Sequence, residues 1–136
     1  MSMPSIVAID LGLKRIGLAH LCAGVVVPLA PILRQNRNQA ARAVRAVLEQ
    51  KQAEIVLLGV AFDGSSAETM HKRAQHFAQL LGEGRTIVFF DESYSSIEAQ
   101  QRYEAKLPRH KGYLDSIAAM ILLERYWERQ NEKEKR

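Results

Sequence analysis

The stretch that most constrains the fold is Ile6-Val7-Ala8-Ile9-Asp10-Leu11-Gly12-Leu13-Lys14-Arg15-Ile16-Gly17-Leu18-Ala19, two apolar runs joined through a carboxylate and a glycine. It reads as a strand, a tight turn and a second strand. Side chains alternate faces along a strand, so Ile6, Ala8 and Asp10 share one face and Val7 and Ile9 the other. Asp10 thus falls at a strand end among buried neighbours, where its charge carries a desolvation cost until something positive or hydrogen-bonding compensates it. A divalent cation is the usual compensation when other carboxylates converge. The plainer alternative is an aspartate that only caps the turn.

Further along, Val25-Val26-Val27, bounded by Gly24 and Pro28, reads as a third strand, which makes the first third of the chain an antiparallel meander. Ala40, Val44, Val47 and Leu48 recur at helical spacing over 38–52, with Asn36 or Asn38 available as a cap. The approach and outer face of that helix carry Arg34, Arg37, Arg42 and Arg45 with no acid before Glu49, a pattern that suits a phosphate backbone and equally suits plain solvation. The continuous apolar run Ile55–Val60 has the pattern of a central parallel strand covered on both faces. Ser65 and Glu68 form a capping-box spacing before a helix with Met70, Ala74, Phe77, Ala78 and Leu81 as its stripe. His71 and His76 lie mostly off that stripe and read as solvated.

Gly82 and Gly84 stop the helix, and Thr86–Phe90 is a last strand ending on Asp91-Glu92. Ser95 and Glu98 repeat the capping-box spacing, which predicts a short helix over 96–105. The basic loop Leu107–Gly112 follows, and then a helix with Leu114, Ile117, Ala118, Ile121 and Leu122 on one stripe. Asp115 lies one residue off that stripe. Small Ala118 and Ala119 would let the helix lie close to the sheet and bring Asp115 near the strand ends. Its alternative role is a carboxylate favoured by the dipole of a helix N-terminus.

These elements predict an α/β fold with a mixed five-stranded sheet, an antiparallel three-strand meander plus two parallel strands, and helices on both faces. The 136 residues, 47% of them hydrophobic, suit one domain over 1–136, with about 130–136 as a charged, frayed tail. No apolar stretch approaches the roughly 20 residues of a membrane helix, so a cytoplasmic protein is expected. The lone Cys22 has no partner at zinc spacing and reads as a small buried apolar residue. A net charge of +4 points weakly to a polyanionic partner. Acids at Asp10, Glu92 and Asp115 are the kind of cluster that metal-dependent phosphodiester hydrolysis needs. Hard cations such as Mg²⁺ take oxygen ligands and leave positions open for phosphate and water, and two ions about 4 Å apart stabilise the attacking and leaving oxygens together.

The segments Asp10–Ala19, Asp91-Glu92 and Lys111–Leu122 resemble the three signatures of the YqgF/RuvX family, small bacterial proteins with a ribonuclease H-like, Holliday-junction-resolvase-like fold. The resemblance spans nearly the whole chain. It departs at Ser93-Tyr94-Ser95-Ser96, where the family usually has arginine and then Thr-Ser or Thr-Thr, and at Val60-Ala61-Phe62, where it usually has Leu-Pro. The resemblance implies a nuclease that matures the 5′ end of precursor 16S ribosomal RNA, with resolution of branched DNA as the older suggestion. It implies Asp10, Glu92 and Asp115 as catalytic, metal-binding acids holding Mg²⁺ or Mn²⁺, two ions in all, with Asp91 the alternative at the second position. Lys14, Arg15 and Lys111 are then the candidates for substrate phosphate, Lys111 standing in for the charge absent at Ser93.

Two other classes compete. The Asp-Leu-Gly turn also resembles the phosphate loop of actin-like ATPases, which grip nucleotide between two lobes where this chain has length for one. A catalytically silent nucleic-acid-binding module is the non-enzymatic reading. P-loop, Gly-x-Ser-x-Gly and Gly-x-Gly-x-x-Gly motifs do not occur. RNA against DNA, and monomer against homodimer, stay open at this level.

Overall fold

The computed structural model describes residues 3–12, 14–60, 67–91, 101, 105 and 116–134. In chain order these form β1 (Ile6–Leu11), β2 (Arg15–Cys22), β3 (Val25–Leu33), α1 (Arg37–Gln50), β4 (Ile55–Val60), α2 (Ala67–Leu80), β5 (Thr86–Asp91) and α3 (Ile117–Glu134). The strands make one sheet in the order β3-β2-β1-β4-β5. β1 to β3 pair antiparallel, while β1 with β4 and β4 with β5 pair parallel. The expected mixed sheet is therefore present. β1 is the middle strand of the sheet, and β4 is the middle strand of its parallel half.

Strand alternation sends two sets of side chains to two layers. Val7, Ile9, Ile16, Leu18, Val56 and Leu58 pack against Ala40, Ala41, Val44 and Leu48 of α1 and Phe77 of α2. Ile6, Ala8, Ala19, Leu21, Leu57 and Phe90 pack on the other face against Ala119, Met120, Leu122 and Leu123 of α3. Because both faces are covered, β1 and β4 need apolar residues at every step, which is why they read as unbroken runs rather than alternating ones. Burying a Leu or Ile contributes about 1.5–3 kcal/mol each, so this double layer is the main stabilising contact of the fold.

Three local expectations need correction. β3 does not stop at Val27 but continues through Pro28 and Pro31 to Leu33. It is an edge strand, where a residue lacking an N–H leaves no interior ladder bond unmade. The charged stretch 131–134 is helical, α3 running on to Glu134 with Lys133 in its last turn, a position the helix dipole favours for a cation. Cys22 is exposed, not buried: it closes β2 against Val25 at a hairpin whose turn residues Ala23 and Gly24 take φ of 52° and 80°. His76 is exposed as read, but it is engaged by α1, as described below. The helix expected over 96–105 lies outside the described residues apart from Gln101 and Ala105, both helical. Of the two asparagines offered as a cap for α1, Asn36 is the one used: it accepts from the Gln39 N–H, and the Gln39 side chain returns a bond to the Asn36 N–H. Among the described residues no helix is long and apolar enough to cross a membrane.

Candidate active site

β1, β4 and β5 all deliver their carboxyl ends to one edge of the sheet, where the β1–β2 turn and the N-termini of α1, α2 and α3 also lie. In open α/β sheets this is the edge at which ligands bind. Asp10 stands there half-buried. Its Cα partners are Gly17 on β2 and Gly59 on β4, and Phe90 of β5 continues the row. Alternation puts Gly17, Asp10, Gly59 and Phe90 on the α3 face, since Ala8, Ala19, Leu57 and Phe90 all pack there. The carboxylate thus has a residue without a side chain on either side.

The turn after Asp10 is tightly constrained. The Gly12 N–H donates to the Asp10 carbonyl at 3.1 Å, and a Cβ on Gly12 would collide with the carbonyl oxygen of Arg15. Arg34 clamps the same turn twice: its backbone N–H donates to the Lys14 carbonyl at 2.8 Å and its guanidinium to the Gly12 carbonyl at 3.4 Å. Lys14 and Arg15 are both exposed on this turn. Burial, and after it the neighbouring charges of Arg73 and Arg37, hold the Arg34 pKa below the ordinary arginine value. It remains a cation at neutral pH.

Of the six residues proposed for the site, Asp10, Lys14 and Arg15 are described and come together at this turn. Glu92, Asp115 and Lys111 lie outside the described residues. The backbone of Asp91 pairs with Val60 at the end of β5, two strands from Asp10. Ser116, which follows Asp115, is fully buried against the β2–β3 bulge. Its hydroxyl accepts from the Leu18 N–H at 3.2 Å and donates to the Leu29 carbonyl at 2.7 Å, bridging the two strands beside Gly17. From there α3 crosses the sheet to β5, where Tyr126 meets Phe90 edge-on at 6.0 Å and the Arg129 guanidinium lies 5.1 Å from the same ring. Sequence reasoning passed over Ser116, Gly17 and Gly59. A serine directly preceding an apolar helical stripe was the available signal for the first; glycine inside strands, where it weakens the element, was the signal for the others.

A larger hollow, about 320 Å³, lies at the opposite end of the sheet between Ser5, His20, Cys22, Lys51 and Glu54. Ser5 and His20 are 2.9 Å apart there, but they are not a nucleophile and its base. The single hydroxyl proton of Ser5 goes to the Lys51 carbonyl at 2.8 Å, so the His20 Nε2–H must be the donor to Ser5.

A five-stranded mixed sheet of this order, with helices on both faces, has the ribonuclease H-like fold. The Fowlpox virus resolvase, solved with a Holliday junction, shares the fold, with a TM-score of 0.57 at 15% identity over 93% of this chain and 98% of its own. The chain belongs to the RuvX family, described as Holliday junction resolvase, whose model matches residues 4–129. Curated relatives carry the name "Putative pre-16S rRNA nuclease". One from a Sulfurovum species is 48% identical and one from Campylobacter lari 41%, each over 122 residues covering 88% of this chain and 94% of the relative.

Proposed function

We propose that this protein is a nuclease that hydrolyses phosphodiester bonds in precursor 16S ribosomal RNA, trimming its 5′ end, with Asp10, Glu92 and Asp115 as its catalytic carboxylates. The observation that carries the reading is the position of Asp10. It is a half-buried carboxylate at the carboxyl end of the middle strand, flanked in the sheet by Gly17 and Gly59. Family membership supplies the reaction class, and the names of the relatives supply the substrate. That substrate implies a cytoplasmic enzyme.

A divalent cation, Mg²⁺ or Mn²⁺, fits this donor set. Carboxylate oxygens are the ligands hard cations take, and Asp10 offers them at a sheet edge between two strand partners that carry no side chain. When bound, such an ion supplies Lewis acidity toward phosphate and lowers the pKa of water, two ions acting on attacking and leaving oxygens. The chain itself contributes the rest. Asp10 fixes the origin of the site through the clamped turn, and Ser116, the residue next to Asp115, is itself anchored to β2 and β3. Lys14, Arg15 and Lys111 hold substrate phosphate, which positions the strand without reading its sequence.

The test is cleavage of a labelled RNA carrying the precursor 5′ extension, beside a four-way DNA junction, in Mg²⁺ or Mn²⁺, for the natural chain and Asp10→Asn. Removing one carboxylate of such a centre is expected to lower the rate by two or more orders of magnitude while thermal unfolding changes little. RNA cleaved by the natural chain alone supports the reading. Cleavage of the junction alone transfers it to a DNA resolvase, and full activity in Asp10→Asn removes the carboxylate centre.

A further inference from the structure

The sequence offers two sets of basic residues that look unrelated, Arg34 and Arg37 at the start of α1, and Arg73 and His76 in the middle of α2. Folding joins them. The Arg37 guanidinium lies 2.7 Å from His76 Nδ1, which ties the first turn of α1 to the third turn of α2. Arg73 lines a small hollow with Leu11, Gly59, Val60, Met70 and Ala74, directly behind the turn that carries Asp10. Arg34 stands between them, its guanidinium on the Gly12 carbonyl and its charge felt by, and feeling, both Arg37 and Arg73.

Three features separate this cluster from an ordinary solvated helix face. First, the cations gather at the N-terminus of α1, which has no acid in its first turn, so the helix dipole opposes them where it would favour an anion. Second, the other two arginines of the α1 face behave differently: Arg45 donates to the Leu80 carbonyl at the end of α2 and serves packing, and Arg42 is simply exposed. Third, the hollow beside Arg73 is about 10 Å³, room for one water and not for a base or a small metabolite, so the ligand must lie along the surface. Like charges held together at a sheet edge, beside a helix N-terminus with no acid in its first turn, match an extended polyanion.

We infer that Arg34, Arg37 and Arg73, with His76 holding Arg37 in place, form a second phosphate-binding track on the α1–α2 layer, which grips the sugar-phosphate backbone flanking the bond cleaved at Asp10. The inference rests on the nuclease reading and deepens it. Asp10 faces the α3 layer and the track faces the other, so one nucleic-acid strand crossing the edge of the sheet touches both. Arg34 couples them, because the residue that meets the track also clamps the catalytic turn.

The test uses the full chain carrying Asp10→Asn, so that binding is read without cleavage, and a fluorescein-labelled RNA stem-loop with a 5′ single-stranded extension. Fluorescence anisotropy gives affinity at several salt concentrations. Adding Arg37→Gln and Arg73→Gln is expected to weaken binding ten- to a hundredfold and to flatten the slope of log K against log salt by about 1.5, since each lost phosphate contact removes about 0.7–0.9. Arg37→Lys with Arg73→Lys is expected to restore most of the slope, which separates lost charge from lost folding, and Arg42→Gln to change affinity less than twofold. An unchanged slope in the glutamine variant overturns the track and leaves the nuclease reading standing. An equal loss in Arg42→Gln overturns it in favour of diffuse charge. If the Asp10→Asn chain has no affinity for RNA at all, the nuclease reading falls and the track with it.

Discussion

Gly12 illustrates how little freedom the turn after Asp10 has. Its backbone closes a bond to Asp10 and leaves no space for a Cβ against Arg15, so Gly12→Ala must displace backbone rather than a side chain. We expect about 1–3 kcal/mol of destabilisation, seen as a lower midpoint in thermal unfolding, together with loss of cleavage beyond what the remaining folded fraction explains. His20 acts at the far end of the same strands. Burial, and secondarily the charge of Lys51, lower its pKa from 6.5, so the folded state resists its protonation while the unfolded state does not. Stability is therefore complete above pH 6.5 and falls as the pH drops through 6.5 toward the folded-state value. Urea midpoints at pH 7.5 and 5 should show that decline in the natural chain and a smaller one in His20→Gln.

At the start of α3, one side chain serves two strands. The Ser116 hydroxyl serves both the Leu18 N–H and the Leu29 carbonyl at the bulge, and Ser116→Ala removes that partner from a buried N–H and a part-buried carbonyl. Such a loss costs about 1–3 kcal/mol. The informative result is the rate: because Ser116 anchors the start of α3 beside Gly17, cleavage should fall further than stability. A variant that loses stability and keeps its full rate at a temperature where it is folded would show that the anchor serves only packing. α1 is secured more redundantly, by the Asn36–Gln39 capping box and by Arg45 on the end of α2.

At the scale of the molecule, the sheet has two ends of different character. One collects Asp10, the clamped turn and the arginines; the other holds the Ser5–His20 hollow and the exposed thiol of Cys22. Four residues of strand separate Ile6 from Asp10, roughly 13 Å at 3.3 Å per residue. Alkylating Cys22 with a maleimide should therefore leave cleavage of the precursor RNA unchanged. Inhibition proportional to labelling would mean that substrate crosses the end opposite Asp10.

The strands, their burial and the Asp10 turn were legible in the chain because each depends on residues close in sequence. Alternation, continuous apolar runs and a glycine beside a carboxylate act over a few residues, and the short meander fixes the pairing of β1 with β2. The exposure of Cys22 and the length of β3 were misread for a related reason: hairpin register and edge position depend on which neighbour a strand has, and composition does not encode that. Tertiary structure alone placed Gly59 beside Asp10, set Ser116 into the bulge, and brought Arg73 and His76 to Arg34 and Arg37. Each of these contacts joins residues tens of positions apart, and such a contact exists only once the sheet order is set. What the sequence determines here is therefore the carboxylate and the strand that carries it, and what the packing of helices on two faces decides is everything that surrounds them.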